Sequence, residues 1–270
     1  MIIAQDLKDK IKKVGEVLQL AAQMSLEYYN KPLILTYSGG KDSDVLVLLG
    51  MKFLQPGQYE VLNSHTTVDA PETVYHIRRT FDRLQTQGVK TTVMMPLYKG
   101  EPTTMWKLIV QKQFPPTRTQ RYCCQVLKEA STPRRAIATG VRMDESQIRR
   151  GRDVFSISGN TKEGALYYSL DHAKEVYDEA QWGLGDAFDC RLIKEAKANK
   201  ELVTNPIYEW TTADVWDYLK ICGLKHNPLY DMGYLRVGCI GCPLGGGGRR
   251  CESFMISRNT RAHTCGRSTE

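Results

Sequence analysis

The sequence predicts an α/β fold: a doubly wound, mostly parallel five-stranded sheet with helices on both faces and one inserted segment. Two observations predict it. Short apolar strand-like runs alternate with segments of helical character along much of the chain. The first strand-to-helix junction is the glycine-rich stretch Ser38-Gly39-Gly40-Lys41-Asp42-Ser43, set between two apolar runs. Ligands of open parallel sheets bind at such junctions, outside the carboxyl ends of the strands.

The elements follow in order. Ile3, Leu7, Ile11, Val14, Leu18 and Ala21 recur at three- and four-residue spacing, so residues 1–29 hold an amphipathic N-terminal helix. Residues 32–37 ("PLILTY") read as a buried strand and 43–54 as a helix with Asp42 or Ser43 near its start. A second strand lies within 58–69, followed by Pro71-Glu72 and a helix through Leu84. "VKTTVMMPL" is a third strand, "TTMWKLIVQKQF" a helix stopped by Pro115-Pro116, and "RRAIATGVR" a fourth strand. Residues 151–205 mix short strand-like pieces with the charged run "RLIKEAKANKE" and read as an insertion or lid within a domain of residues 30–245. Thr211 or Thr212 caps a later helix with Asp214 in its first turn. Residues 246–270 form a glycine- and arginine-rich tail with little periodicity, expected as loop or disorder. The pattern is Rossmann-like and carries no internal repeat.

Composition excludes several classes. The chain has 270 residues, 41% hydrophobic and 25% charged, as an ordinary globular domain does. No run of eighteen apolar residues predicts a membrane span, and the N-terminus lacks the layout of a signal peptide. A cytoplasmic location without a membrane partner is expected. The net charge of +7 permits phosphate-bearing ligands but does not select them over a solvated basic surface. Eight cysteines without a secretory signal argue for metal or redox chemistry rather than a disulfide scaffold. Cys123-Cys124 are adjacent, and Cys239 and Cys242 form a C-x-x-C.

The 38–43 loop has the chemistry of a phosphate cradle. Gly39 and Gly40 let amide hydrogens converge on an anion. The following helix directs its positive end to the same place. Ser38 and Ser43 add hydroxyls, and Lys41 adds a charge. The loop is not the G-x-x-x-x-G-K-[ST] form, because both glycines directly precede the lysine. A glycine-rich turn with no ligand is the alternative.

"SGGKDS" resembles the pyrophosphate-binding loop of the PP-loop ATP pyrophosphatases, the adenine nucleotide alpha hydrolase-like superfamily. "ATGVRMDESQIRRG", "NPIYEWTTADVWDYL" and "NPLYDMGYLRVGCIGCP" resemble ordered segments of the phosphoadenosine phosphosulfate (PAPS) and adenosine phosphosulfate (APS) reductases. The resemblance spans about residues 30–245 and extends to the sulfurtransferases that install phosphorothioate in DNA. It implies an adenine nucleotide, ATP or adenylyl sulfate, bound at Ser38, Gly39, Gly40, Lys41, Asp42, Ser43, Gly140, Arg142 and Arg149. It also implies catalytic roles for Lys41, Asp42, Arg142 and Lys128, and a [4Fe-4S] cluster on Cys123, Cys124, Cys239 and Cys242. Four thiolates supply one ligand per iron of a cubane. Four-cysteine zinc, disfavoured by the adjacent pair, and free or redox thiols are the alternatives. Arg121 and Arg150 are further candidates for an anionic substrate, and magnesium near Asp42 would offset pyrophosphate charge. Cys190, Cys222 and Cys251 are given no role.

Two departures bear on function. The reductases' tail motif resembling E-C-G-L-H is echoed only by Cys265-Gly266, and His65 stands where their second loop carries aspartate. These differences favour an enzyme that activates its acceptor, a DNA phosphate or a tRNA base, with ATP before sulfur transfer. Its sulfur donor would be a protein such as a cysteine desulfurase. The alternatives are an APS or PAPS reductase with a thioredoxin-type partner, and a nucleotide-binding accessory subunit with a structural cluster. A homo-oligomer is left open.

Overall fold

The computed structural model describes residues 4–129, 135–145, 153–158, 166–181 and 201–244. These fall into two compact units. One lies within Met1–Asn63, Arg79–Thr92 and Pro133–His226, the other within Ser64–Arg78, Val93–Thr132 and Asn227–Glu270.

The first unit is built on α1 (Gln5–Tyr29), β1 (Leu33–Thr36), α2 (Lys41–Phe53) and β2 (Tyr59–Ser64), whose last residue passes into the second unit. It continues with the later part of α3 (Pro71–Thr86) and the start of β3 (Lys90–Met94). Helix α1 buries Leu7, Ile11, Val14, Leu18 and Ala21 and ends at Asn30 in a left-handed conformation, φ 50°. Strand β1 contributes Leu33, Ile34 and Leu35, each with no exposed surface. Burial of each such side chain contributes about 1.5–3 kcal/mol. Helix α2 packs on β1 and α1.

The second unit has shorter elements. The two-residue strands β4 (Leu97–Tyr98) and β5 (Glu101–Pro102) pair antiparallel. Helix α4 (Met105–Lys112) is capped by Thr104, whose hydroxyl accepts from the Lys107 N–H at 3.2 Å. A single turn, α5 (Tyr122–Cys124), runs into a π-helical turn at Gln125–Glu129. Met105, Leu108, Tyr122 and Leu127 form the local core, with Cys123 packed against it.

The remaining elements return to the first unit: β6 (Ile137–Ala138), β7 (Phe155–Ser158), β8 (Leu166–Tyr168), α6 (Leu170–Gln181), β9 (Glu201–Thr204) and α7 (Thr212–Cys222). The sheet order is β3-β2-β1-β6-β9-β7-β8. Strands β2, β1, β6 and β9 are parallel, in register Leu35 with Val61 and Ala138, and Ala138 with Thr204. Strands β7 and β8 extend the sheet antiparallel.

The expected mostly parallel α/β sheet is present, but among the described residues it has seven strands, not five. The difference arises in residues 151–205, the stretch expected as an insertion or lid. Three strands lie there, β7, β8 and β9, of four, three and four residues. Runs that short carry too few positions for a periodicity to register. Residues 246–270 lie outside the described residues.

Candidate functional site

The loop after β1 is held from below by Tyr37. Its hydroxyl donates to Asp44 Oδ1 at 2.6 Å and lies 3.1 Å from Thr80 Oγ1. Burial, with the Asp44 carboxylate adding to it, pushes the Tyr37 phenol well above its ordinary value. Asn63 donates to the Tyr37 carbonyl at 2.8 Å. The chain then turns at Gly39, φ 73°, and enters α2 at Lys41. Ser43 closes the turn. Its Oγ donates to the Gly40 carbonyl at 2.8 Å, accepts from the Ser38 N–H at 3.2 Å, and lies 3.3 Å from Ser38 Oγ.

A second segment presses on this loop after β6. A Cβ on Gly140 would lie 3.1 Å from the Asp42 carbonyl carbon and oxygen, so only glycine fits without displacement. Two residues on, the Arg142 side chain is 2% exposed. Its Nε donates to Asp42 Oδ1 at 2.7 Å, and one terminal nitrogen donates to the Trp210 carbonyl at 3.2 Å. Both terminal nitrogens reach Thr212 Oγ1 at 3.4 Å, and Asp144 Oδ2 lies 3.7 Å away. Lys41, 5% exposed, places its ammonium 3.2 Å from Asp42 Oδ2. The Asp42 carboxylate is thus bracketed by two cations, one on each oxygen. That arrangement fits magnesium poorly at Asp42, because both oxygens already serve cations.

The sequence-predicted residues Ser38, Gly39, Gly40, Lys41, Asp42, Ser43, Gly140 and Arg142 therefore come together in the first unit. Arg142, expected at the nucleotide, reaches Asp42 of the loop, the Trp210 carbonyl and Thr212. Sequence reasoning missed Tyr37, Asp44, Asp144 and Thr212 as supports. Arg149 and Arg150 lie outside the described residues.

The second unit holds the four cysteines. Cys123, Cys124, Cys239 and Cys242 are free thiols, each half-buried. Cys239 and Cys242 sit on a turn closed by the Cys242 N–H donating to the Cys239 carbonyl at 3.3 Å, with Gly241 at φ 68°. The Ile240 N–H donates to the Val68 carbonyl at 2.8 Å, which ties this turn to the 64–70 loop. The Cys239 thiol faces Thr66 Oγ1 at 3.5 Å and Asp69 Oδ1 at 3.9 Å. Arg121 directs a terminal nitrogen to Cys124 Sγ at 3.5 Å.

Burial raises the Cys123 thiol to about 11, and the neighbouring Cys124 adds to the rise. Burial likewise raises Cys239, against the pull of the Lys128 ammonium. Desolvation works against the Lys128 charge, but Cys239, Asp69, Cys124 and Cys242 outweigh it and hold its pKa up. Lys128 thus shares one electrostatic neighbourhood with both cysteine pairs. Among the described residues, no three His, Cys, Asp or Glu side chains converge as ligands of a single metal ion. Four thiolates are a donor set that a cubane cluster and a four-cysteine zinc site both take. Cys190, Cys251 and Cys265 lie outside the described residues.

A model of the phosphoadenosine phosphosulfate reductase domain matches residues 32–244, most of the chain. The protein belongs to that family. It is thereby a PP-loop protein, and the loop geometry above is this PAPS reductase-family member's version of the PP-loop. An uncharacterized protein of Methanocaldococcus jannaschii is 22% identical over 249 residues, covering 88% of this chain and 50% of that protein. The adenosine 5'-phosphosulfate reductase of Anoxybacillus flavithermus is 22% identical over 226 residues, covering 80% of this chain and 74% of the reductase. The chain spans half or less of the length of the two M. jannaschii relatives it matches. Among solved structures, the ATP complex of Candida glabrata FMN adenylyltransferase superposes with TM-score 0.50 at 16% identity, covering 89% of this chain and 66% of that one. That likeness is one of fold. Among the described residues, no helix is long and apolar enough to cross a membrane.

Proposed function

We propose that this PAPS reductase-family protein is an ATP-dependent sulfurtransferase acting on a nucleic-acid acceptor. The observation that carries the reading is the pairing, on one chain, of a preformed PP-loop with four free, half-buried thiols.

The pyrophosphate end of ATP lies at Ser38–Ser43. Lys41 and the N-terminus of α2 meet the charge that develops as an acceptor oxygen attacks the α-phosphorus. The bond between α- and β-phosphates breaks and pyrophosphate departs from the loop. A sulfur nucleophile then displaces AMP, which carries the acceptor's oxygen away. Arg142 acts as a positioning residue: it fixes Asp42, and Asp42 fixes Lys41 at the mouth of the loop. An iron-sulfur cluster would be held by Cys123, Cys124, Cys239 and Cys242, one thiolate per iron, and would supply electron-transfer chemistry rather than an open iron for sulfur. Lys128 and Arg121 hold positive charge beside those sulfurs.

The name of the A. flavithermus relative favours a second reading, reduction of adenylyl sulfate to sulfite with a dithiol partner. One experiment separates the two. The purified protein is given ATP and sulfide with single-stranded DNA or tRNA, or adenylyl sulfate with a dithiol reductant. Pyrophosphate and AMP from ATP support sulfur transfer; sulfite from adenylyl sulfate overturns it.

A further inference from the structure

The second unit contains a cleft of about 520 Å3 that none of the nucleotide chemistry above uses. Its lining includes Lys112, Phe114, Gln120, Arg121, Tyr122 and Cys124. We propose that this cleft is the acceptor site and takes one nucleotide of a single-stranded nucleic acid. The proposal rests on the sulfur-transfer reading and names where its acceptor binds.

Four features carry it. The volume falls within the range of small-ligand sites, about 300–1,000 Å3. Two cations face the cleft: Lys112, whose ammonium stands 5.1 Å from the Tyr98 ring and 5.9 Å from the Tyr122 ring, and Arg121. One exposed aromatic ring stands beside them, Phe114. Tyr122, buried in the local core, meets it edge to face at 5.5 Å and donates its hydroxyl to the Phe114 carbonyl at 2.6 Å. Gln120 and Gln125 add amide groups of the kind that read base edges. Glu129 is the one acid on this lining.

The surroundings match the same ligand. On α4, Trp106 is 66% exposed and Val110, one turn later, 77% exposed. Between Leu97 and Gln125 the chain carries five lysines and arginines against one acid, Glu101. Cations for phosphates interleaved with aromatic faces for bases are the elements of a single-strand site. A duplex offers the phosphates but keeps its base faces stacked, so the aromatic groups discriminate against it. Cys124 in the wall places a sulfur ligand next to whatever nucleotide enters.

Fluorescence anisotropy on the full chain tests this, with labelled mixed-sequence strands of about 15 nucleotides. DNA, RNA and the matching DNA duplex are compared at ~50 and ~200 mM salt. Single strands are expected to bind at least about tenfold tighter than the duplex, and the DNA and RNA arms identify the acceptor class. Lys112→Glu is expected to weaken binding about tenfold and flatten its salt dependence. Phe114→Ala is expected to weaken it about 5- to 150-fold with the salt dependence unchanged. Phe114 is exposed and Lys112 lies at the surface, so both variants fold; unchanged melting temperatures verify it. Equal or tighter duplex binding, wild-type affinity in both variants, or equal competition by polyglutamate would overturn the assignment. Strand-stimulated release of pyrophosphate from ATP that persists unchanged in both variants removes the cleft and leaves the sulfur-transfer reading standing. Strand binding through Lys112 and Phe114 without pyrophosphate release does the reverse.

Discussion

The phosphate loop and the cysteine region are built in opposite ways. In the loop every support is a short polar contact within regular structure. Ser43 closes the turn, Arg142 grips Asp42 from a buried position, and Tyr37 and Asp44 brace the start of α2. The cysteines sit on a three-residue helix, a π turn and an irregular C-x-x-C turn, with thiol contacts of 3.5 Å or longer. Buried polar networks that are fully satisfied specify one geometry. Thiols held by weak contacts gain a fixed arrangement from what they bind, because ligand binding supplies ordering energy. The loop is therefore organised without a ligand, whereas the cysteine set rests on weak contacts alone.

The largest expected effect follows from that contrast. Cys239→Ser with Cys242→Ser should abolish bound iron and acid-labile sulfide in protein purified without oxygen. ATP affinity, read by isothermal titration, should stay at the wild-type value. Zinc in the wild-type protein, or a loss of ATP binding in the variant, would break the comparison. Lys41→Ala should do the converse: iron content is retained, and pyrophosphate release falls about 10²- to 10³-fold. Equal loss of both properties would mean that the two regions are not separately organised.

Gly140→Ala is a milder probe of preorganisation. Its Cβ at 3.1 Å from the Asp42 backbone forces a shift of a few tenths of an ångström in a loop with no slack. A cost of about 1–3 kcal/mol in urea unfolding is expected, with a matching fall in ATP affinity and no change in iron content. A neutral outcome would mean that the loop gives way easily and is not preformed.

The same contrast explains how much was legible in the sequence. The loop could be read because its residues are contiguous: two glycines, a lysine and two serines between apolar runs have few other uses. Arg142 could be marked, but its role could not, since Trp210 and Thr212 lie about seventy residues away and nothing local announces them. Its partners within the protein are Asp42, Trp210 and Thr212. The cysteine pairs were visible as pairs, while Thr66 and Asp69 as neighbours of Cys239 were not, because that contact joins positions 170 or more residues apart. The α/β class followed from the first few elements. The strand count did not, because β7, β8 and β9 are runs of three or four residues and β9 follows a charged run that obscures its pattern. Helix α7 was the easiest element, since its Thr211 and Asp214 form a reciprocal cap.

That cap yields the smallest effect, and one confined to the loop-bearing unit. Asp214 Oδ2 accepts from the Thr211 N–H at 2.8 Å, the Thr211 hydroxyl at 2.9 Å and the Lys10 ammonium of α1 at 2.9 Å. Partial burial pushes its carboxyl up, but the Thr211 backbone, Lys10 and the Thr211 hydroxyl together pull it down, and the net value lies below the ordinary 3.8. A carboxyl depressed on folding stabilises the protein fully above its unfolded pKa and loses that contribution as pH falls through the folded value. Asp214→Asn should therefore cost about 1 kcal/mol at pH near 7. The gap from wild type should hold down to about pH 4 and narrow only at more acid pH. Urea unfolding of the two proteins across that range checks it. A gap that instead closes well above pH 4 would mean the carboxylate is not held by Lys10 and the cap, and that α1 and α7 are joined by apolar packing alone.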